Sequence, residues 1–303
     1  MRAVVCTAYG APDVLAIRDV PMPEPRAGEV RIRTVATTAH VGDARIRRAD
    51  PFAARLAFGL FRPRRDLILG LESAGVVDAV GTGVSTFAAG DEVMAFCGFE
   101  LGGNAEYRCL PVDSLDPQKR GAIVRKPASL SFEAAAALPT GAMTALKNLH
   151  KAGLSAGHRI LINGASGSLG TFAIQLAKHV GAEVTAVCSA RNRDLVESLD
   201  ADAVVDYGTE DFTRLGPRFD VVYDAVMTSS PRACRGLLRP GGVHVRNAGL
   251  SRITRDDLQH VADLAGRGVL RPVIDRVLPL DEVVEAHRHV DTGRKRGHVI
   301  LTL

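Results

Sequence analysis

Residues 159–180 constrain the fold more than any other stretch. Arg159-Ile-Leu-Ile-Asn-Gly-Ala-Ser-Gly-Ser-Leu-Gly170 runs from a short aliphatic segment into a glycine turn. A helical pattern, Thr171-Phe-Ala-Ile-Gln-Leu-Ala-Lys-His-Val180, follows at once. Strand, tight turn and helix N-terminus in that order make a pyrophosphate site, because free backbone N–H groups and the positive end of the helix dipole face the anion. Gly167 lets the backbone approach the phosphates, and Gly170 lets helix and strand pack closely. The pattern reads A-x-G-x-x-G, since Ala165 stands at its first position. Taken alone it leaves a ligand-free strand-to-helix turn open.

At 303 residues, two domains are expected. A net charge of +4 and the absence of Trp give no basis for nucleic-acid binding. The five cysteines (Cys6, Cys97, Cys109, Cys188 and Cys234) are scattered with no C-x-x-C, which indicates neither a zinc lobe nor a disulfide framework. No apolar run reaches membrane-spanning length, and a reducing cytoplasm is the expected location.

Up to about Pro127 the chain reads as short strands with turns, a barrel-like β domain. Ser131–Leu138 and Thr140–His150 read as helices, with Ser131 a candidate N-cap. From Ile160 strands alternate with helical stretches: Ile160–Asn163, Glu183–Cys188, Ala203–Asp206, Phe219–Asp224 and Gly242–Val245. That pattern predicts a doubly wound parallel sheet. A helix follows from about Arg255 to Gly266. The tail after Arg271 returns to strand, helix and strand. The predicted division is 1–126 for the β domain, 127–271 for the dinucleotide-binding domain, and 272–303 for a return to the β domain.

The chain resembles the medium-chain dehydrogenase/reductase superfamily, and within it the zinc-free quinone oxidoreductase and enoyl reductase branch. The resemblance covers nearly the whole chain. It is carried by Ala8-Tyr-Gly-Ala-Pro-Asp-Val-Leu15, Val41-Gly-Asp43, Ile68-Leu-Gly70, Ala74-Gly-Val-Val77, Ala89-Gly-Asp-Glu-Val93, Ala105-Glu-Tyr107, Ala134-Ala-Ala-Ala-Leu-Pro139, the glycine turn and Pro272-Val-Ile-Asp275. It implies an α/β protein: a GroES-like β-barrel domain plus a Rossmann sheet, with a small-molecule substrate and nicotinamide in the cleft between them. The zinc ligands of metal-dependent relatives map to His40, Leu71 and Gly141. One imidazole does not hold a catalytic zinc, so no metal is expected.

The position that carries an acidic residue in NAD-specific relatives is Ser189, followed by Arg191. A carboxylate there would repel a 2′-phosphate, whereas serine with arginine attracts one, so NADPH is expected. A solvated loop charge is the plainer reading of Arg191. The resemblance places Lys178 and Tyr207 near the same phosphate. It gives Gly164, Ala165, Ser166, Gly167, Ser168, Leu169 and Gly170 to the pyrophosphate, and Thr144, Asn247, Ala248 and Gly249 to the nicotinamide side.

The expected reaction is hydride transfer to an activated C=C or a quinone, where a hydrogen-bond donor or proton source at the distant oxygen lowers the barrier. His40 stands where this branch usually has asparagine and is the candidate, either as a hydrogen-bond donor or as a proton donor near neutral pH. A histidine satisfied by its surroundings is the alternative. Asp43 is expected to pair with His298. Phe52, Leu56, Phe58 and Phe61 are expected to line an apolar pocket for an aromatic or polyketide-like substrate, with a packed helix or a membrane-surface helix as other readings. The segment after Gly249 is too short for the sixth Rossmann strand of relatives. That strand pairs across their homodimer, so a homodimer stays open with its usual edge missing. The shortening also keeps two further readings in view: a non-redox enzyme (cyclisation, isomerisation or dehydration of a natural-product intermediate) and an inactive homologue.

Overall fold

The computed structural model describes residues 1–64, 67–247 and 253–303. The strands in chain order are β1 (Arg2–Cys6), β2 (Leu15–Asp19), β3 (Glu29–Thr38), β4 (Glu72–Val80), β5 (Glu92–Phe96), β6 (Tyr107–Pro111) and β7 (Ala122–Arg125). Then come β8 (Arg159–Asn163), β9 (Glu183–Cys188), β10 (Ala203–Asp206), β11 (Phe219–Asp224) and β12 (Leu238–Arg246), followed by β13 (Ile274–Pro279) and β14 (His298–Thr302). The chain divides into two compact units. The first comprises Met1–Thr140, Ile253–Gly266 and Ile274–Leu303; the second comprises Gly141–Arg252 and Arg267–Val273.

In the first unit β1 and β2 form an antiparallel pair, and a larger sheet runs β13-β14-β3-β4-β5-β7 with β6 also on β3. Its core gathers Val30, Ile32, Val77, Phe87, Val93, Leu110 and Ile123. Ser131 caps the short helix Phe132–Ala136 by accepting from the Ala134 N–H at 3.2 Å, as its sequence position predicted. The helix Arg255–Gly266 also belongs here, although its place after the alternating pattern assigned it to the Rossmann half. Its buried face (Leu258, Val261, Ala262, Leu264 and Ala265) packs on β7, Arg255 Nε donates to the Ile123 carbonyl at 3.3 Å, and Ile253 N–H donates to Gln118 Oε1 at 3.1 Å.

In the second unit five parallel strands lie in the order β10-β9-β8-β11-β12. β8 and β9 are buried almost throughout, which explains their continuous rather than alternating apolar pattern. Helices over the sheet complete a core of Leu161, Val187, Val205, Phe219, Val222, Cys234 and Leu237. The register on β11 shifts between Phe219 and Val221, opposite the Arg239-Pro-Gly-Gly242 turn of β12. Among the described residues no sixth parallel strand follows. The segment Arg267–Val273 is held by Gln175, whose side chain donates to the Arg271 carbonyl at 3.0 Å and accepts from the Arg271 N–H at 2.8 Å.

Candidate functional site

The glycine turn forms at the C-terminal end of β8. Gly164 has φ +81°, in the left-handed region, and the Gly164 and Ala165 N–H groups donate to the Val187 carbonyl at 3.2 and 3.1 Å. The helix Ser168–His179 starts with Gly167 as N-cap, and no side chain caps it. A Cβ at Gly170 would lie 2.2 Å from the Gly164 carbonyl oxygen and 2.6 Å from Ala165 Cα. Gly170 thus presses the first helical turn against the loop, as close helix–strand packing requires. Among the described residues, a Cβ at Gly167 would meet only the Gly164 carbonyl oxygen, at 3.5 Å. A glycine turn leading into a helix N-terminus that no side chain caps suits a dinucleotide pyrophosphate.

The neighbouring strand supplies the second part. Ser189 follows β9, and its Oγ is buried with no hydrogen-bond partner among the described residues. Tyr207 stands beside it: Asp206 is in register with Cys188, and the Tyr207 N–H donates to the Cys188 carbonyl at 3.1 Å. The Tyr207 ring is exposed. Arg191 is exposed in the same short loop. No carboxylate occupies this loop between Ser189 and Arg193. An orphaned hydroxyl flanked by arginine and tyrosine fits the 2′ side of an adenosine ribose.

Lys178 does not join this group. Its Nζ donates to both carboxylate oxygens of Asp202 at 2.7 Å, and Asp202 also accepts from the Val184 N–H. The lysine lies at the C-terminal end of its helix and secures the chain between β9 and β10. Asn247 follows β12 and donates through its N–H to the Asp224 carbonyl at 3.3 Å. Thr144 lies half-buried on the helix Pro139–Lys151. Ala248 and Gly249 lie outside the described residues. At the ends of β8 and β11, Asn163 Nδ2 donates to Asp224 Oδ1 at 3.0 Å, and Asp224 Oδ2 accepts from the Ser229 N–H and hydroxyl at 3.0 and 2.6 Å. This buried set fixes the floor beside the turn, and Asp224 gave no sequence signal beyond ending a strand.

The first unit holds a separate polar group. His40 is the N-cap of the helix Val41–Arg48, its Nδ1 accepting from the Gly42 N–H at 2.9 Å. An accepting Nδ1 places the ring proton on Nε2. Burial, with Lys295 adding repulsion, pulls the His40 pKa down to about 3. The ring is therefore neutral at pH 7 and offers an Nε2–H donor. Of the two roles expected for it, the proton donor near neutrality is corrected: protonating Nδ1 would break the cap and place a desolvated cation near Lys295. Histidine is a rare N-cap, which is why the sequence did not announce this helix.

A Cβ at Gly42 would lie 2.5 Å from Leu71 Cδ1 and 2.9 Å from His40 Nδ1. The Leu71 methyl thus packs beside the imidazole. With Nδ1 engaged and no ligand atom on Leu71 or on Gly141, the three positions do not fit a catalytic zinc. No cluster of three metal-binding side chains occurs among the described residues.

Glu72 is fully buried. Its carboxylate accepts from Thr38 Oγ1 at 2.8 Å and from the Thr140 N–H at 2.7 Å. Burial raises its pKa, opposed by those donors and by Lys295. Burial also lowers the Lys295 ammonium to about 8, against the pull of Glu72 and Asp275. Asp43 Oδ1 accepts from the Gly70 N–H at 3.0 Å, and its carboxyl is raised to about 7, by burial first and Glu72 after it. His298 is buried, and its pKa is lowered by burial, Lys295 and His40. Lys295, three residues before His298, donates through Nζ to the Gly297 carbonyl and interacts electrostatically with Glu72 and Asp275. Sequence reasoning missed it because it sits in the Gly293–Gly297 turn rather than in the last strand.

The four residues expected to line an apolar pocket separate. Phe58 is buried, whereas Phe52, Leu56 and Phe61 are 70%, 81% and 87% exposed. Tyr9 is structural: its hydroxyl donates to the Gly59 carbonyl at 2.7 Å, and Arg55 lies over its ring.

Comparisons with known proteins agree with this fold. The family model described as "Alcohol dehydrogenase GroES-like domain" matches residues 26–119, and two models described as "Zinc-binding dehydrogenase" match residues 168–265 and 243–301. The chain is 34% identical over 318 residues to the 2-methylene-furan-3-one reductase of Solanum lycopersicum, covering 99% of this chain and 79% of that protein. It is 31% identical over 316 residues to the chloroplastic NADPH-dependent alkenal/one oxidoreductase of Arabidopsis thaliana, with the same coverage. Among solved structures, the quinone oxidoreductase of Coxiella burnetii superposes with a TM-score of 0.86 at 28% identity, covering 100% of this chain and 99% of that one. No helix among the described residues is long and apolar enough to cross a membrane. GroES-like domain, parallel Rossmann sheet and glycine turn together make this chain an oxidoreductase of the medium-chain dehydrogenase/reductase superfamily, in its quinone oxidoreductase-like branch.

Proposed function

We propose that the chain is an NADPH-dependent, zinc-independent reductase of activated C=C bonds or quinones. The observation that carries the coenzyme assignment is the loop after β9, which holds the orphaned Ser189 hydroxyl and Arg191 and has no acidic residue from Ser189 to Arg193, with Tyr207 beside it after β10. A free hydroxyl and a guanidinium attract a 2′-phosphate, and the uncapped Ser168–His179 helix holds the pyrophosphate. The bound coenzyme supplies hydride. This chain's own contribution to the chemistry is the Nε2–H of His40, a neutral donor for the oxygen on which negative charge develops. His40 keeps its proton through the step, so solvent or another group protonates the product carbon. The relatives named as reductases of alkenal/one and furanone substrates support the substrate class.

Two measurements test this reading. Calorimetric titration should give tighter binding of NADPH than of NADH, and Arg191→Ala should weaken NADPH by roughly tenfold while leaving NADH unchanged. Enones and quinones should deplete NADPH absorbance, and a strong chelator should leave the rate unaltered. Equal affinity for both coenzymes in the parent and the variant sinks the coenzyme assignment. Chelator-sensitive turnover sinks the zinc independence.

A further inference from the structure

One side chain joins the two loops of the coenzyme unit. Asn192 Nδ2 donates to Ser166 Oγ at 2.8 Å, reaching from the loop after β9 into the glycine turn after β8. The Asn192 N–H donates to the Ser189 carbonyl at 2.9 Å and closes that loop on itself. Asn192 is 5% exposed, and its Oδ1 is buried without a hydrogen-bond partner among the described residues. Ser189 Oγ is orphaned in the same loop. A buried acceptor left unpaired is costly, so two in one short loop point to a ligand that completes them. β8 and β9 are adjacent and parallel, and ligands of such sheets lie beyond the C-terminal ends of the strands.

We propose that Asn192 is a coenzyme-positioning residue: its Oδ1 accepts from a hydroxyl of the adenosine ribose while its Nδ2 holds Ser166, and with it the pyrophosphate turn. The inference rests on the reading of this unit as a dinucleotide site. It assigns the two halves of the loop different duties. Ser189 and Arg191 face the 2′ substituent and discriminate between coenzymes. Asn192 takes a hydroxyl common to both coenzymes and fixes the distance between ribose and pyrophosphate. Its removal costs affinity without changing preference.

The test is calorimetric titration of NADPH and NADH into the parent chain, Asn192→Ala, Asn192→Asp, Ser166→Ala and the Ser166→Ala/Asn192→Ala pair. Asn192→Ala is expected to weaken both coenzymes by roughly tenfold with their ratio unchanged. The pair is expected to bind no more weakly than Asn192→Ala alone, because the two side chains act as one unit. Asn192→Asp keeps an acceptor but cannot donate to Ser166 and places a negative charge near the 2′ side, so it should weaken NADPH more than NADH. Thermal midpoints within a few degrees of the parent show that the variants are folded; if Asn192→Ala is not, the Asn192→Asp ratio decides. Unchanged binding by Asn192→Ala, or a loss confined to NADPH, overturns the inference while the dinucleotide reading stands. A parent chain that binds neither coenzyme overturns both. A parent that prefers NADH, with Asn192→Ala weaker for both, removes only the NADPH assignment.

Discussion

The two units handle buried polarity in opposite ways. Among the described residues, the first buries Glu29, Asp43, Arg47, Glu72, Lys126, His287 and His298, whereas in the second the only buried Asp, Glu, Lys, Arg or His is Asp224, fully hydrogen-bonded at a strand end. The coenzyme unit gets its function from backbone geometry: a turn, an uncapped helix and glycines where no Cβ fits. The GroES-like unit gets its character from desolvated ionisable side chains whose protonation is set by burial and by one another. One site is therefore sensitive to shape and the other to charge.

The largest expected effect breaks the shape side. Gly170→Ala forces a Cβ into the Gly164 carbonyl oxygen, and neither backbone segment has room to yield. We expect a loss of about 3 kcal/mol or more in urea denaturation, together with coenzyme binding. Unimpaired stability would show that helix and turn are not locked there. Next, Glu72→Ala tests the charge side by stranding Thr38 Oγ1 and the Thr140 N–H in the interior. A loss of about 2–3 kcal/mol is expected by the same measurement, with Glu72→Gln retaining part of it. A loss below 1 kcal/mol would mean that the buried carboxylate is dispensable.

Stability against pH sharpens the contrast further. His287 is fully buried, neither ring nitrogen has a hydrogen-bond partner among the described residues, and burial with Arg47 and Arg48 nearby lowers its pKa to about 3. Between about pH 6.5 and 3 the unfolded chain binds this proton and the folded chain does not, so stability falls as the solution is acidified. His40 acts in the same direction. Asp43, raised from 3.8 to about 7, acts in the opposite one: its folded carboxyl holds a proton through that window and favours the folded state at the acid end. His287→Leu should remove one acid-sensitive step and raise stability by about 1–2 kcal/mol at pH 5, with a smaller gain at pH 8. Parallel curves for parent and variant would remove His287 from the account. The smallest effect concerns the cap: His40→Ala should cost about 1 kcal/mol, while His40→Asn, a strong N-cap, should cost a few tenths. Equal losses would show that His40 stabilises its helix by packing rather than by capping.

The same division decides how much was legible in the sequence. The five parallel strands and the glycine turn are local features, written in aliphatic runs and glycine spacing; the first four strands fall where those patterns put them, and the fifth begins at Leu238, four residues before the expected Gly242. The lack of an acidic residue after β9 is legible because it is visible in one dimension. Lys178 misled because its partner, Asp202, is reached only after the chain has folded back along β9. Lys295 was hidden because its value lies in charges brought from β4 and β13. The helix Arg255–Gly266 was assigned to the wrong unit for a similar reason: amphipathicity shows that a face will be buried but not which surface buries it. Phe58 and Phe61 look alike in sequence, yet one enters the core and the other faces solvent.

The order of the chain segments has a consequence for assembly. The sheet of the second unit uses the continuous stretch from β8 to β12, so it can close as soon as that stretch exists. The first unit draws on three separated stretches, and β14 pairs with β3 through Ala36 and Thr302. Until residues 298–302 arrive, β3 keeps an unpaired edge where that strand will lie, open to pairing with another chain. The coenzyme sheet is thus the early-formed part during synthesis, and the vulnerable interval falls in the GroES-like unit while its final strand is awaited.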